Sequence, residues 1–147
     1  MGFFAAAAGA LAPLVNQAIN LRSNFDNIAD QKLNIVLGAG AAAFNAAVGA
    51  ATPSPVTVGN QRVGGSNSAA LTVANTAAAG AFSEDLNASL GANCGAASSS
   101  GAVNGLLAGA SSNAISVGVN TASAGAKTGT VTLSYQTAGA VNGLSNG

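Results

Sequence analysis

Charged side chains are scarce in this chain. They make up 5% of its 147 residues, against roughly 25% in ordinary soluble domains. The four basic and four acidic residues balance to a net charge of zero. Because nucleic acids and anionic membranes are recognised through clustered Lys and Arg, the composition predicts neither partner. Such weak electrostatic repulsion favours association of a protein with its own copies.

Histidine and tryptophan are absent, and there is a single cysteine, Cys94. Without histidine, Ser-His-Asp and Cys-His catalytic arrangements and imidazole metal sites are excluded. One cysteine cannot form an intrachain disulfide, so Cys94 is either a free thiol or, in an assembly, half of an interchain bond. We therefore predict a non-enzymatic protein with no cofactor and no metal.

The remaining groups that could carry chemistry lack partners in the sequence. Asp26 and Asp30 lie four residues apart, and Glu84 and Asp85 are adjacent; all are interpreted as solvated surface groups. Residues 38–43 match the dinucleotide fingerprint G-x-G-x-x-A, but no acidic residue follows at the spacing needed for the ribose. Ser98–Ser100 has no base nearby and is interpreted as a loop.

The amino-terminal third differs from the remainder in the pattern of its apolar residues. Its first apolar run is interrupted by Pro13 and ends at Val15, short of the roughly 18 residues of a membrane span. It also lacks the basic start of a secretory signal. Apolar residues at steps of three and four then predict a helix over about 12–31, packed on its own domain or on neighbouring subunits.

From residue 52 onward, short runs with alternating apolar side chains are broken by Gly and Asn about every ten residues, as in sandwiches and barrels. The clearest run places Val131, Leu133 and Tyr135 on one face. Leu71 and Val73 alternate in the same way. The sequence therefore predicts an extension over residues 1–51 and an all-β, antiparallel sandwich over 52–147.

Three segments of the second region resemble the choice-of-anchor-D type of immunoglobulin-like repeat. They are Val58-Gly-Asn-Gln-Arg-Val-Gly-Gly65, Ala70-Leu-Thr-Val-Ala-Asn-Thr76 and Ala81-Phe-Ser-Glu-Asp-Leu-Asn-Ala-Ser89, with further likeness in 107–110, 115–121 and 124–132. The resemblance covers about residues 52–144. It implies an immunoglobulin-like sandwich in a secreted or surface protein of bacteria, with a non-enzymatic role.

The resemblance also implies a displaced strand. Repeats of this family continue after the Gly143-Leu144 turn into a closing strand, whereas a similar pattern stands here at Gln31–Gly38. We therefore expect residues 31–48 to supply a strand, with Leu33, Ile35, Leu37 and Phe44 as its apolar contacts. The expected acceptor groove is formed by Leu71, Val73, Val131, Leu133 and Tyr135.

If this strand folds back, it completes the domain of its own copy. If it is donated, it completes the domain of the next copy, and such head-to-tail contacts propagate into fibres. The sequence thus favours an extracellular, pilus-like homopolymer, with contacts to a surface or matrix. The alternative is a monomeric adhesin or carbohydrate-binding module. Few aromatic residues are available for sugar stacking, which disfavours that alternative.

Overall fold

The computed structural model describes residues 7–10, 18–21, 31–34 and 42–139. Every regular element within these ranges is a β-strand, and all ladders are antiparallel. Two compact units are present, Met1–Ala43 and Phe44–Gly147. No helix long and apolar enough to span a membrane occurs in the described part of the chain.

Two short strand pairs are found among the described residues of the first unit. Strand β1 (Gly9–Ala10) pairs with β4 (Ala42–Ala43). Strand β2 (Ala18–Leu21) pairs with β3 (Gln31–Asn34), with Ile19 opposite Leu33.

The helix expected over about 12–31 is therefore wrong for Ala18–Leu21, which is extended; residues 12–17 and 22–30 lie outside the described ranges. The segment reads Ala-Ile-Asn-Leu, so its apolar residues also fit a period of two. Asparagine lowers helix propensity because its amide competes for backbone hydrogen bonds. Pairing with Gln31–Asn34 satisfies the backbone instead.

The second unit contains a four-stranded and a three-stranded sheet. The first has the order β5-β6-β10-β8 and the second the order β11-β7-β9. Their strands are β5 (Gly49–Thr52), β6 (Ser68–Asn75), β7 (Leu86–Gly95), β8 (Ala97–Ser100), β9 (Val103–Leu106), β10 (Ser111–Val119) and β11 (Gly129–Thr137). The expected domain boundary at residues 51 and 52 falls inside β5, which pairs with β6.

Both sheets contribute to one hydrophobic core. The four-stranded sheet supplies Leu71, Val73 and Ile115, and the three-stranded sheet supplies Leu86, Ala88 and Val103. The alternation predicted from the sequence in β6, β10 and β11 is confirmed as strand structure. Small side chains keep this core thin, so each large one contributes a substantial share of the apolar burial.

Ser98–Ser100 was expected to be a loop, and this expectation is wrong. The three serines lie in β8, whose residues pair with Ser116–Val119 of β10. The hydroxyls of Ser100 and Ser116 lie 3.0 Å apart across the ladder. Backbone pairing with a longer strand thus compensates for the low intrinsic strand preference of this segment.

Strands β8 and β9 follow each other closely in sequence but belong to different sheets. The crossing takes place at Gly101, which has a φ of 98°. A side chain there would overlap the carbonyl oxygen of Ala114. Only glycine combines this backbone conformation with so close an approach.

Candidate functional site

The structure brings three of the expected acceptor residues, Leu71, Val73 and Leu133, together from two sheets. Leu71 and Val73 lie on β6 and are 8% and 0% exposed. Leu133, on β11, is half-buried and packs against the same core. Leu71 and Val73 are thus covered by the unit itself, whereas burial is less complete along β11.

The two edge strands β5 and β11 lie on the same flank of the second unit. The ring of Tyr135, in β11, packs against the backbone of Gly49, in β5. A methyl group built on Gly49 would lie 2.7 Å from Cε1 of the ring and closer still to Cδ1 and Cγ. Tyr135 remains 37% exposed. The ring therefore contacts the margins of both sheets and stays partly exposed to solvent.

Strand β11 has a partner on one side only. It pairs with β7 from Gly129 to Thr137, and within residues 42–139 no strand pairs with its other edge. Val131 is half-buried, like Leu133. An edge strand with a partly exposed apolar face is suited to pairing with an added strand. We call this surface, formed by Val131, Leu133 and Tyr135 beside Gly49, the open flank.

Leu133 of the open flank is one of several half-buried apolar side chains that pack around the core. Half-buried side chains that surround the core include Ala47, Ala51, Val56 and Leu90, in addition to Leu133. Partial burial raises the pKa of the Tyr135 phenol above its ordinary value of 10.0, because the phenolate is poorly solvated there. The phenol is therefore neutral at physiological pH.

The expected donor residues do not form one strand in the described ranges. Leu33 lies in β3, opposite Ile19, while Ile35 and Leu37 lie outside the described residues. Phe44 belongs to the second unit, where its ring contacts Phe82 at a centroid distance of 5.5 Å.

The residue after Phe44 is bound to the same unit through its backbone. Asn45 bridges to Ser83. Its N–H donates to the Phe82 carbonyl at 2.8 Å, and its carbonyl accepts from the Glu84 N–H at 3.0 Å. Phe44 and Asn45 thus support the domain that contains the acceptor residues.

Asn75 is a structural residue that the sequence interpretation missed. It is 1% exposed. Its side-chain oxygen accepts from the N–H groups of Val48 and Ala77 at 3.1 and 3.3 Å. Its amide donates to the carbonyls of Glu84 and Leu106 at 3.0 and 3.1 Å. The sequence did contain an indication of its burial, because Asn75 follows Leu71 and Val73 at every second position and so lies on the same buried face of β6.

The acidic pair was expected on the surface, and for Glu84 this is wrong. Glu84 is 2% exposed, whereas Asp85 is half-buried. The peptide groups of Glu84 bond to Asn45 and to the Asn75 side chain, which holds this segment in the interior. The two adjacent acids thus differ in exposure although the backbone of each is hydrogen-bonded.

Chemistry-bearing groups do not converge in the described ranges. No cluster of three or more His, Cys, Asp or Glu residues that could hold a metal is found there. Cys94 is exposed and not part of a disulfide. Asp26 and Asp30 lie outside the described residues.

A depression is formed among strands β7, β9 and β11 of the three-stranded sheet. Its volume is about 410 Å³, and its lining includes Asn87, Ser89, Asn104, Ser134 and Gln136. The Asn87 side chain, which belongs to the only glycosylation sequon, accepts a hydrogen bond from the Gly105 N–H at 2.8 Å. The depression offers uncharged hydroxyls and amides, and Tyr135 at its margin.

No family model matches the chain, and neither a curated protein nor a solved structure matches it.

Proposed function

We propose that this chain is a structural subunit of an extracellular, pilus-like filament, completed by a strand donated between copies. The observation that carries the proposal is the open flank, where β11 lacks a second described partner and its apolar face is half-exposed. Filling this flank with an apolar strand would bury Tyr135 and Leu133 and pair the free backbone groups of β11.

The strand order supports an immunoglobulin-like sandwich as the framework. In that fold one sheet has the order A-B-E-D, and the other has G next to F and F next to C. Strands β5-β6-β10-β8 correspond to the first order, and β11-β7-β9 to F-C-C′. In this assignment the vacant neighbour of β11 is strand G, the closing strand. One departure is that β8, in the D position, precedes β9.

The amino-terminal segment is the proposed donor. Leu33, Ile35 and Leu37 alternate with Asn34 and Val36, so three apolar side chains share one face of an extended strand. The open flank presents three inward positions of β11 with the same spacing. Phe44 is left out of the donor because it packs on Phe82 within its own unit.

Charge depletion supports donation to another copy. Strand donation from one end of each copy to the next is a heterologous contact, which forms open fibres unless it closes into rings. Surfaces that are buried between copies are depleted of charged residues. The 5% content of charged residues fits a protein whose surface is largely covered by its neighbours.

Single-cysteine copies test donation directly. In a Cys94→Ser background, one copy carries Val36→Cys and the other carries Thr132→Cys or Ser134→Cys, on exposed positions of β11. A disulfide requires Cα atoms about 4.4–6.8 Å apart. We expect cross-linked heterodimers from mixed copies, and fibres in electron micrographs of the unmodified protein.

Two controls sharpen this experiment. Asn113→Cys, also exposed but in β10 of the other sheet, should not cross-link to Val36→Cys. Placing both cysteines in one copy tests the folded-back arrangement. An intrachain bond in a stable monomer, with no heterodimers from mixtures, would refute donation between copies.

A carbohydrate-binding module is the second candidate. The polar depression of about 410 Å³, lined by amides and hydroxyls with Tyr135 at its margin, favours it. One aromatic ring provides little stacking surface. Reproducible glycan-array binding that is lost in Asn104→Ala with Gln136→Ala would support this alternative over the filament.

A further inference from the structure

The second compact unit carries few charges, and they are segregated by sign. Residues 44–147 contain four charged side chains, namely Arg62, Glu84, Asp85 and Lys127. The two basic residues lie near one end of the sheets and the two acidic residues near the other.

The basic end is formed by the loops that precede β6 and β11. These loops are joined by a hydrogen bond from the Gly64 N–H to the Thr121 carbonyl at 3.0 Å. Arg62 and Lys127 line one depression of about 340 Å³ between them. Arg62 is exposed and Lys127 half-buried, and the Lys127 ammonium donates to the Ser123 hydroxyl at 2.8 Å. Two cations thus share a recess that is open to solvent.

The acidic end lies where β11 finishes and β7 begins. The Ala138 N–H donates to the Asp85 carbonyl at 2.8 Å, and Leu86 stands opposite Thr137. Glu84 is buried at this end, so Asp85 is the acidic side chain that is partly accessible there.

The two ends are far apart in one copy. Strand β6 runs between them and has eight residues, which corresponds to roughly 25 Å at about 3.3 Å per residue. This distance exceeds the Debye length of about 8 Å at physiological salt. Arg62 and Lys127 therefore have no strong attraction to Asp85 of their own copy.

We infer that the basic recess of one copy docks on the Asp85 end of the next, so that copies stack head to tail with one polarity. This inference rests on the proposed self-assembly and specifies its direction. A second copy is the fitting occupant because it presents a partly accessible carboxylate at the end opposite the recess. The otherwise uncharged surface of residues 44–139 provides no competing contact of either sign.

Docking of this kind governs the orientation in which copies join and the rate at which the fibre elongates. Ion pairs near the surface contribute modestly to affinity, but complementary charge steers encounters and disfavours like-charged contacts. We expect removal of either end's charge to slow elongation about two- to fivefold. Wild-type elongation should also slow as salt is raised.

Two charge-reversed variants provide the decisive experiment. The first, Arg62→Glu with Lys127→Glu, has two acidic ends; the second, Asp85→Lys, has two basic ends. Each alone should elongate more slowly than the wild type, because like charges meet at every contact. An equimolar mixture should recover the wild-type rate, with the two variants alternating along the fibre. Thermal unfolding establishes that each variant is folded.

Matched controls place the same charges midway along a strand. Ser89 is exposed near the middle of β7, and Ser89→Glu and Ser89→Lys should elongate like the wild type. If the end variants behave like these controls, and mixing gives no recovery, the docking inference is refuted while strand donation stands. If the folded wild type remains monomeric at every concentration, strand donation fails and the docking inference fails with it.

Discussion

Gly49→Ala is the sharpest test of how the open flank is built. The new methyl group would meet the Tyr135 ring at 2.7 Å from Cε1 and at shorter distances from Cδ1 and Cγ. Carbon atoms at optimal contact are about 3.5–4.0 Å apart, so the ring or strand β5 has to shift by about 1 Å. Overpacking of this kind costs about 1–3 kcal/mol.

A second effect of the substitution has the opposite sign. Alanine restricts the unfolded chain more than glycine does, which stabilises the folded state by about 0.4–1 kcal/mol where the backbone permits. The net expectation is a loss of about 0.5–2 kcal/mol in the free energy of unfolding. Urea unfolding followed by circular dichroism measures it.

Gly59→Ala is the matched control, because a methyl group there has no heavy atom within 4 Å. It should be neutral or slightly stabilising. In a Tyr135→Ala background the loss at Gly49 should disappear, which identifies the ring as the obstacle through a double-mutant cycle. Equal stabilities for the two alanine variants, with no coupling to Tyr135, would refute this account of the flank.

Three further outcomes are expected. Asn75→Ala should lower the free energy of unfolding by about 2–4 kcal/mol, because it leaves interior N–H and carbonyl groups without the side chain that joins them. The control Asn104→Ala, at an exposed position, should change the free energy of unfolding little. Equal effects of the two substitutions in urea unfolding would contradict the role of Asn75. Burial raises the Tyr135 pKa, so above pH 10 the folded state retains a proton that the unfolded state loses. The free energy of unfolding should therefore fall as the pH rises above 10, and it should fall less steeply in Tyr135→Phe. Parallel profiles of the free energy of unfolding against pH for the wild type and Tyr135→Phe would exclude this contribution. Because Tyr135 is the only tyrosine and tryptophan is absent, its fluorescence should become less accessible to a soluble quencher on assembly, and fibres with unchanged quenching would exclude filling of the flank.

Strand structure was predictable where one face of a strand is apolar. Leu71 and Val73, and then Ile115 and Val117, alternate with small or polar residues, and all four are buried. Burial of one face fixes the register, so a period of two carries reliable information. The same reasoning placed Leu133 against the core.

The errors arose where pairing with a distant segment determines the structure. The short strands β2 and β8 are defined by ladders with β3 and β10, and neither partner is evident from the local composition. In the same way, β5 was not predicted as a strand because it lies in a run of small residues. Glu84 is held by its N–H, which donates to the Asn45 carbonyl, and by its carbonyl, which accepts from the Asn75 amide, and neither partner is adjacent to it in sequence.

The crossing at Gly101 determines how the second unit can admit a strand. Because β8 and β9 are joined through Gly101 and lie in different sheets, the chain itself fastens the two sheets along that flank. The opposite flank, between β5 and β11, is held by side-chain contact of Tyr135 with Gly49. We therefore expect a strand added beside β11 to displace the Tyr135 ring while the covalent link between β8 and β9 through Gly101 stays unchanged.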